Sequence, residues 1–359
     1  ILGYVRYIMP NSDASGKDIK RGDIFTEVNG TQLTVENYRD LLFSDNDSYT
    51  LGMAAIQNGA VIPNGDTVEL TKFEYTENPI LIVKTFEEGG KKIGYLLYNG
   101  FTRGFDDELN AAFLQFKNEG VTDLILDFRY NPGGSVSTAV AMGSMITGQF
   151  EGQVFNREQW NPKIQAELEQ SQPDWLVNKF SDELPSGESI NSLNMNSVHI
   201  IVTGNSASAS ELIISAIQPY IDITLVGSQT SGKYTASITL YDSPNFGREG
   251  ANPDHLYAMQ PIVLESVNSL GNNDTNGYEP DIERFEDITD LGILGARNEA
   301  LLNIAINDIV GGATKFEEFK FPEFEPISNS KLFTPTADNM YVDKPELRET
   351  LSSIRQQNK

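Results

Sequence analysis

The stretch Val198-His199-Ile200-Ile201-Val202-Thr203-Gly204-Asn205-Ser206-Ala207-Ser208-Ala209-Ser210-Glu211-Leu212-Ile213-Ile214-Ser215-Ala216-Ile217 changes character halfway along. Its first five residues form a short, mostly β-branched apolar run, the pattern of a strand buried in a sheet. Its last six form an apolar helical run, and the small residues between them allow a sharp turn from strand to helix. Ser208 and Glu211 have capping-box spacing, which predicts Ser208 at the helix N-terminus. Backbone donors and the positive helix end would then lie beside its hydroxyl, a setting that stabilises an oxyanion. The plain alternative is an N-cap with no chemistry, and caps are far commoner than nucleophiles.

Reading outward, Ile223-Thr224-Leu225-Val226 supplies a strand after that helix. Upstream, Ile93-Gly94-Tyr95-Leu96-Leu97-Tyr98 and Asp123-Leu124-Ile125-Leu126-Asp127-Phe128 are strands, with a helix over 106–118 between them. Strand, helix, strand in succession predicts parallel crossovers and an α/β sheet. Asn298 to Val310 has the spacing of a late helix. Residues 1–76 read as a small, mostly β module, with a strand at Tyr4–Ile8, another at Ile24–Val28 ending on Asn29-Gly30, helical spacing from Val35 to Phe43, and a strand at Val68–Thr71. Thr76-Glu77-Asn78-Pro79 reads as a linker, 77–314 as the second domain, and 315–359 as a charged extension with scattered Phe and Pro that wraps or trails.

Composition narrows the chemistry. The chain has 359 residues and a net charge of −25, which repels phosphate backbones and argues against nucleic-acid binding. It has no cysteine, which removes thiol catalysis and disulfides, and two histidines, His199 and His255, too few for a His-rich metal cluster. No apolar run approaches the roughly 20 residues that span a bilayer. The chain starts at Ile1 rather than Met, as a processed product does.

A serine nucleophile needs a base. His199 lies in an apolar strand, where a core role is commoner, and His255 follows a turn, where exposure is commoner. A lysine made basic by burial is the alternative. Lys233, at the end of Gly227-Ser228-Gln229-Thr230-Ser231-Gly232-Lys233, lies 25 positions after Ser208, and a parallel crossover returns the chain to the same sheet edge. A solvated loop lysine is the bland reading. Arg129-Tyr130-Asn131-Pro132-Gly133-Gly134 follows a buried strand directly, so its backbone amides could face a crevice at the strand's carboxyl end.

Together, Asn131-Pro132-Gly133-Gly134, Ser206-Ala207-Ser208-Ala209-Ser210-Glu211, Gly232-Lys233 and the late Gly277-Tyr278-Glu279-Pro280-Asp281 resemble the C-terminal processing peptidases, the tail-specific serine proteases of serine peptidase family 41, over most of residues 80–310. The resemblance implies a crotonase- and ClpP-like α/β catalytic domain. It also implies Ser208 as nucleophile, Lys233 as general base, and the amides of Gly134 and Ala209 as oxyanion hole. No cofactor and no metal are implied; the substrates would be proteins or peptides with apolar C-termini. Many bacterial members carry a Gln four positions after the lysine to orient it, and Ser237 stands there, with shorter reach. The front module resembles the family's PDZ domain at Pro10-Asn11-Ser12-Asp13-Ala14 and Lys20-Arg21-Gly22-Asp23-Ile24. The carboxylate loop and first strand of such a module are expected before Gly3, so 1–76 is expected to be incomplete at its N-terminus. The expected location is the periplasm or envelope of a Gram-negative bacterium, with a membrane tether upstream of Ile1.

Two motifs are set aside. Gly227 to Lys233 fits phosphate-loop spacing, but Tyr234 replaces the Ser/Thr that holds magnesium, and strand-forming residues follow where a helix is required. Asn272 to Glu283 fits calcium-loop spacing, but Asn replaces the first Asp and Pro280 interrupts the loop. The competing reading from another class is a peptide-binding protein on the same scaffold that does not cleave.

Overall fold

The computed structural model describes residues 1–312, 324–333 and 340–342. They form two compact units, Ile1–Asn78 with Phe285–Asn329, and Pro79–Arg284 with the described residues from Ser330 onward.

The first unit is built on antiparallel strands. Ile24–Val28 lies between Gly3–Tyr4 and Ser48–Gln57, and Ser48–Gln57 pairs with Ala60–Thr71. The hairpin turns at Asn58-Gly59, both with positive φ (52° and 78°), the backbone a tight two-residue hairpin turn requires. Val28, Leu33, Leu51, Val68 and Leu70 form its buried core. The expected strand at Tyr4–Ile8 shrinks to Gly3–Tyr4, and the helical spacing from Val35 yields only Tyr38–Leu42.

The late helix, Ala300–Ile309, forms as expected but belongs to this first unit rather than to the 77–314 domain. Arg21 accounts for part of the difference. Its guanidinium pairs with Glu286 Oε1 at 2.7 Å and donates to the Leu291 carbonyl, which ties the start of the 285–329 segment to the front sheet. Of the expected 315–359 extension, 324–329 falls in the first unit and 330–333 with 340–342 in the second, and the remainder lies outside the described residues.

Among the described residues the second unit holds two main sheets and a two-stranded pair, Leu240–Tyr241 with Ala258–Met259. The larger contains β1 (Ile80–Glu88), β2 (Lys91–Tyr98), β3 (Asp123–Asp127), β5 (Ser197–Val202) and β6 (Asp222–Gly227); β4 (Val154–Trp160) lies in the smaller one. The strand order is Ile282–Glu283, β6, β5, β3, β2, β1, parallel throughout except for the antiparallel edge pair β1–β2. The crossovers are α1 (Asp106–Glu119), α2 (Val136–Thr147) and α3 (Ala209–Ile217). Gly120, in left-handed backbone at φ 70°, stops α1. Leu124, Ile125, Leu126 and Asp127 are all buried, as a strand covered on both faces should be. The smaller sheet runs Val177–Lys179, β4, β8 (Ile262–Asn268), β7 (Thr235–Ser237), β9 (Met340–Tyr341). The α/β class and parallel crossovers match the expectation; this second sheet and its last strand were not foreseen.

Candidate active site

The chain leaves β5 at Val202 and enters α3 at Ala209 through a turn fixed by hydroxyl groups. Thr203 Oγ1 donates to the Arg129 carbonyl at 2.5 Å. Ser206 Oγ donates to the Phe128 carbonyl at 2.8 Å and accepts the Thr203 amide at 2.9 Å. Ser210 Oγ donates to the Asn131 carbonyl at 3.0 Å. Of the three serines in Ser206–Ser210, only the middle one is unused: Ser208 Oγ is buried and has no hydrogen-bond partner among the described residues. It stands at the N-cap position, where its amide is capped by Glu211 while its hydroxyl makes no capping bond. Its backbone, at φ 64° and ψ −111°, is one an L-residue rarely adopts. Such strain costs about 1–3 kcal/mol and persists only where the surroundings impose it. Here the four hydrogen bonds made by Thr203, Ser206 and Ser210 do so.

The Gly133-Gly134 turn abuts this elbow. Asn131 places it: its side chain donates to the Tyr98 carbonyl and accepts the Gly133 amide, both at 2.9 Å, while its own carbonyl accepts the Ala207 amide. Beneath lies a fully buried ion pair, with Arg129 Nη2 2.7 Å from Asp127 Oδ2 and the Tyr95 hydroxyl donating to the same carboxylate. Both glycines are obligatory. A Cβ on Gly133 would lie 2.5 Å from Ser208 Cβ and 2.8 Å from the Ala209 nitrogen, and one on Gly134 would lie 2.2 Å from the Phe101 oxygen. Among the described residues, neither the Gly134 amide nor the Ala209 amide donates a hydrogen bond.

Lys233 reaches the site through Glu211. The Glu211 carboxylate is buried and accepts four hydrogen bonds: Oε1 from Thr230 Oγ1 and the Gly232 amide, both 2.6 Å, and Oε2 from the amides of Ser208 (2.9 Å) and Lys233 (2.8 Å). Thr230 Oγ1 in turn accepts the Tyr278 amide at 2.7 Å. Gly232 and Gly277 let these loops touch, since a Cβ on either would fall within 3 Å of opposing backbone. Ser208, Lys233, Leu212, Ser215, Tyr278 and Met340 all line one cleft. Burial raises the Tyr278 phenol above its usual range, against the opposing effect of a hydrogen bond with Ser215.

The structure thus brings Ser208 and Lys233 to one cleft, with Ala209 following Ser208 and the Gly133-Gly134 turn packed against that elbow. Ser237 does not line the cleft. The Ser237 hydroxyl donates to the Met340 carbonyl at 3.0 Å and accepts from Gln260 at 3.1 Å. His199 is half-buried in β5, and His255 pairs with Asp242 at 3.3 Å; neither lines the cleft. Gly227 to Lys233 leads into strand β7, not a helix. The sequence reading gave Glu211 only a capping role and Asn131 none. The capping-box spacing was a partial signal for the first; the second follows from tertiary contacts alone.

The chain is similar to known proteins in sequence and in fold. The model for peptidase family S41 matches residues 92–283. Proteins assigned by name to the CtpA-like serine proteases are similar. One from Staphylococcus aureus (strain COL) is 25% identical over 235 residues, 64% of this chain and 42% of the relative. One from Staphylococcus epidermidis is 28% identical over 169 residues, 47% of this chain and 28% of the relative. The chain therefore spans less than half the length of these curated relatives. A Bacteroides fragilis NCTC 9343 structure described as an S41 protease superposes with a TM-score of 0.70 at 26% identity, covering 86% of this chain and 78% of that one.

Proposed function

The chain belongs to peptidase family S41, and from that membership we propose that it is a serine endopeptidase acting near the C-termini of proteins or peptides through a Ser208–Lys233 dyad. In this reading the uncharged Lys233 amine takes the Ser208 proton as Oγ attacks the substrate carbonyl. The amides of Gly134 and Ala209 hold the oxyanion, and losing one such donor typically costs about a hundred-fold or more in rate. Lys233 then returns the proton to the leaving amine, and water releases the acyl group from Ser208.

The observation that carries the reading is the Ser208 hydroxyl. It is the one unpartnered member of a serine triplet, on a strained elbow beside two undonated amides. Glu211 supports the pairing, because it anchors the backbones of both dyad residues. A fluorophosphonate, which reacts with activated serines, should label the chain at Ser208. Ser208→Ala and Lys233→Ala should each lose cleavage of unfolded protein by several orders of magnitude. Near-wild-type turnover in either variant refutes the dyad.

The same proposal includes the first unit as a peptide-capturing, PDZ-like module, supported by its antiparallel strands and their hydrophobic core. It also includes an extracytoplasmic, envelope setting, supported by the likeness to the CtpA-like serine proteases. It commits to no single envelope type. A second reading, peptide binding without cleavage, is favoured by one observation: the Ser237 hydroxyl, at the position of the family's orienting Gln, is engaged by Met340 and Gln260.

A further inference from the structure

Three residues far along the chain sit where the chemistry is. Strand β9 pairs in parallel with β7, Met340 opposite Ala236 and Tyr341 opposite Ser237. On its other side Tyr341 bridges Ser135, and its amide donates to the Gly134 carbonyl at 3.0 Å. The Val342 amide donates to the Ser237 carbonyl at 3.0 Å. One wall of this slot is therefore the turn that carries the undonated Gly134 amide. The other is the strand that begins two residues after Lys233. The Met340 side chain is 1% exposed and lines the cleft with Ser208 and Lys233.

An extended peptide is recognised by adding a strand to open sheet edges, with alternate side chains entering pockets. The slot offers those edges, one of them at the Gly134 carbonyl, and places an apolar side chain in the cleft that Ser208 lines. On the peptidase reading above, we infer that this slot is where an extended peptide binds and that Met340–Val342 is its intramolecular occupant, displaced when substrate enters. The ligand class follows from the occupant: an unbranched stretch of backbone with a medium-sized apolar side chain beside Ser208. The occupant is held by backbone bonds, Tyr341 to Gly134 and Val342 to Ser237 among them, that a peptide in the same place would also make.

The test uses the full chain with Ser208→Ala, to prevent cleavage, and a fluorescein-labelled synthetic peptide, Asp-Asn-Met-Tyr-Val-Asp, matching residues 338–343. Adding Tyr341→Pro removes the amide bonded to Gly134. Peptide affinity, read by anisotropy, should then rise about ten-fold or more, as when an internal competitor holding most of the population is removed. In the chain without the proline, saturating peptide should accelerate hydrogen exchange at the Tyr341 and Val342 amides. A folded proline variant that binds no more tightly overturns the inference. Should that variant unfold, protection at Tyr341 and Val342 that survives millimolar peptide overturns it as well. Fluorophosphonate labelling of wild-type Ser208 reads the peptidase proposal separately. Displacement without labelling keeps the occupant and removes the hydrolase; labelling without displacement does the reverse.

Discussion

Ser208 and Lys233 share an anchor: one oxygen, Oε2 of Glu211, accepts the backbone amides of both, at 2.9 and 2.8 Å. Two loops from successive crossovers are thereby fixed to the same point, and the distance between their side chains depends on a third residue that makes no bond or break in the proposed reaction.

Glu211→Gln should act through position. A side-chain amide brings N–H groups against the N–H and O–H donors that now surround the carboxylate, and each donor left without an acceptor costs about 1–3 kcal/mol. The expected outcome is a kcat lowered roughly a hundred-fold, as ångström-scale misplacement typically produces, with a smaller change in KM. Fluorophosphonate labelling of Ser208 should slow in parallel. A fall in KM-governed binding alone, with kcat and labelling intact, would contradict the positioning role.

The serine triplet separates structure from chemistry. Ser206→Ala removes the bonds to Phe128 and Thr203, so stability should drop by about 1–3 kcal/mol while turnover per folded molecule stays near wild type. Ser208→Ala should do the opposite. It deletes a buried hydroxyl with no partner, so stability should hold within about 0.5 kcal/mol or improve, and activity should vanish. Denaturant melts and turnover on the same samples decide the matter.

Gly133→Ala should disable the site, because its methyl would meet Ser208 Cβ and the Ala209 nitrogen. Gly152→Ala is the control: its φ is also positive (76°), but open space surrounds it. The control should lose only the backbone term, about 1–2 kcal/mol, and keep full reactivity. Equal labelling rates for the two variants would show that the Gly133 contact does not matter.

Burial raises the phenol groups of Tyr49, Tyr98 and Tyr278 above the ordinary value of 10.0. The folded chain therefore keeps protons that the unfolded chain releases near pH 10. Stability should be undiminished below about pH 10 and decline as pH climbs through the raised folded values, by up to about 1.4 kcal/mol per pH unit for each phenol. Urea melts from about pH 9 to about pH 11 check the sign; rising stability over that window would overturn it.

The central sheet was legible because each of its inner strands is a short apolar run covered on both faces, a pattern polar edges do not blur. The smaller sheet was not. In Val154–Trp160 the inward positions include Asn156 and Glu158, both buried. They are satisfied by Ser266, Asn178 and Trp160, so the apolar alternation that marks a strand is missing from the sequence. The Asn58-Gly59 hairpin carries its signal openly, as the dipeptide that suits positive φ at both turn positions. Ser208, Lys233 and the glycine turn were visible as local motifs. The second role of Glu211 depends on where a loop 19 or more residues later comes to rest, and nothing in the local pattern reports that. Met340–Val342 has too few residues to show any period and takes its conformation from the walls on either side.

The elbow and the glycine turn rise from β5 and β3, adjacent strands in the interior of the six-stranded sheet rather than at its rim. A reaction centre rooted there cannot be silenced by fraying at the periphery, because the strands that would have to part are the last to open. Heat should extinguish activity and tertiary structure at one temperature. In the proposed reaction any throttle has to work by traffic into the groove, not by loosening the framework beneath it.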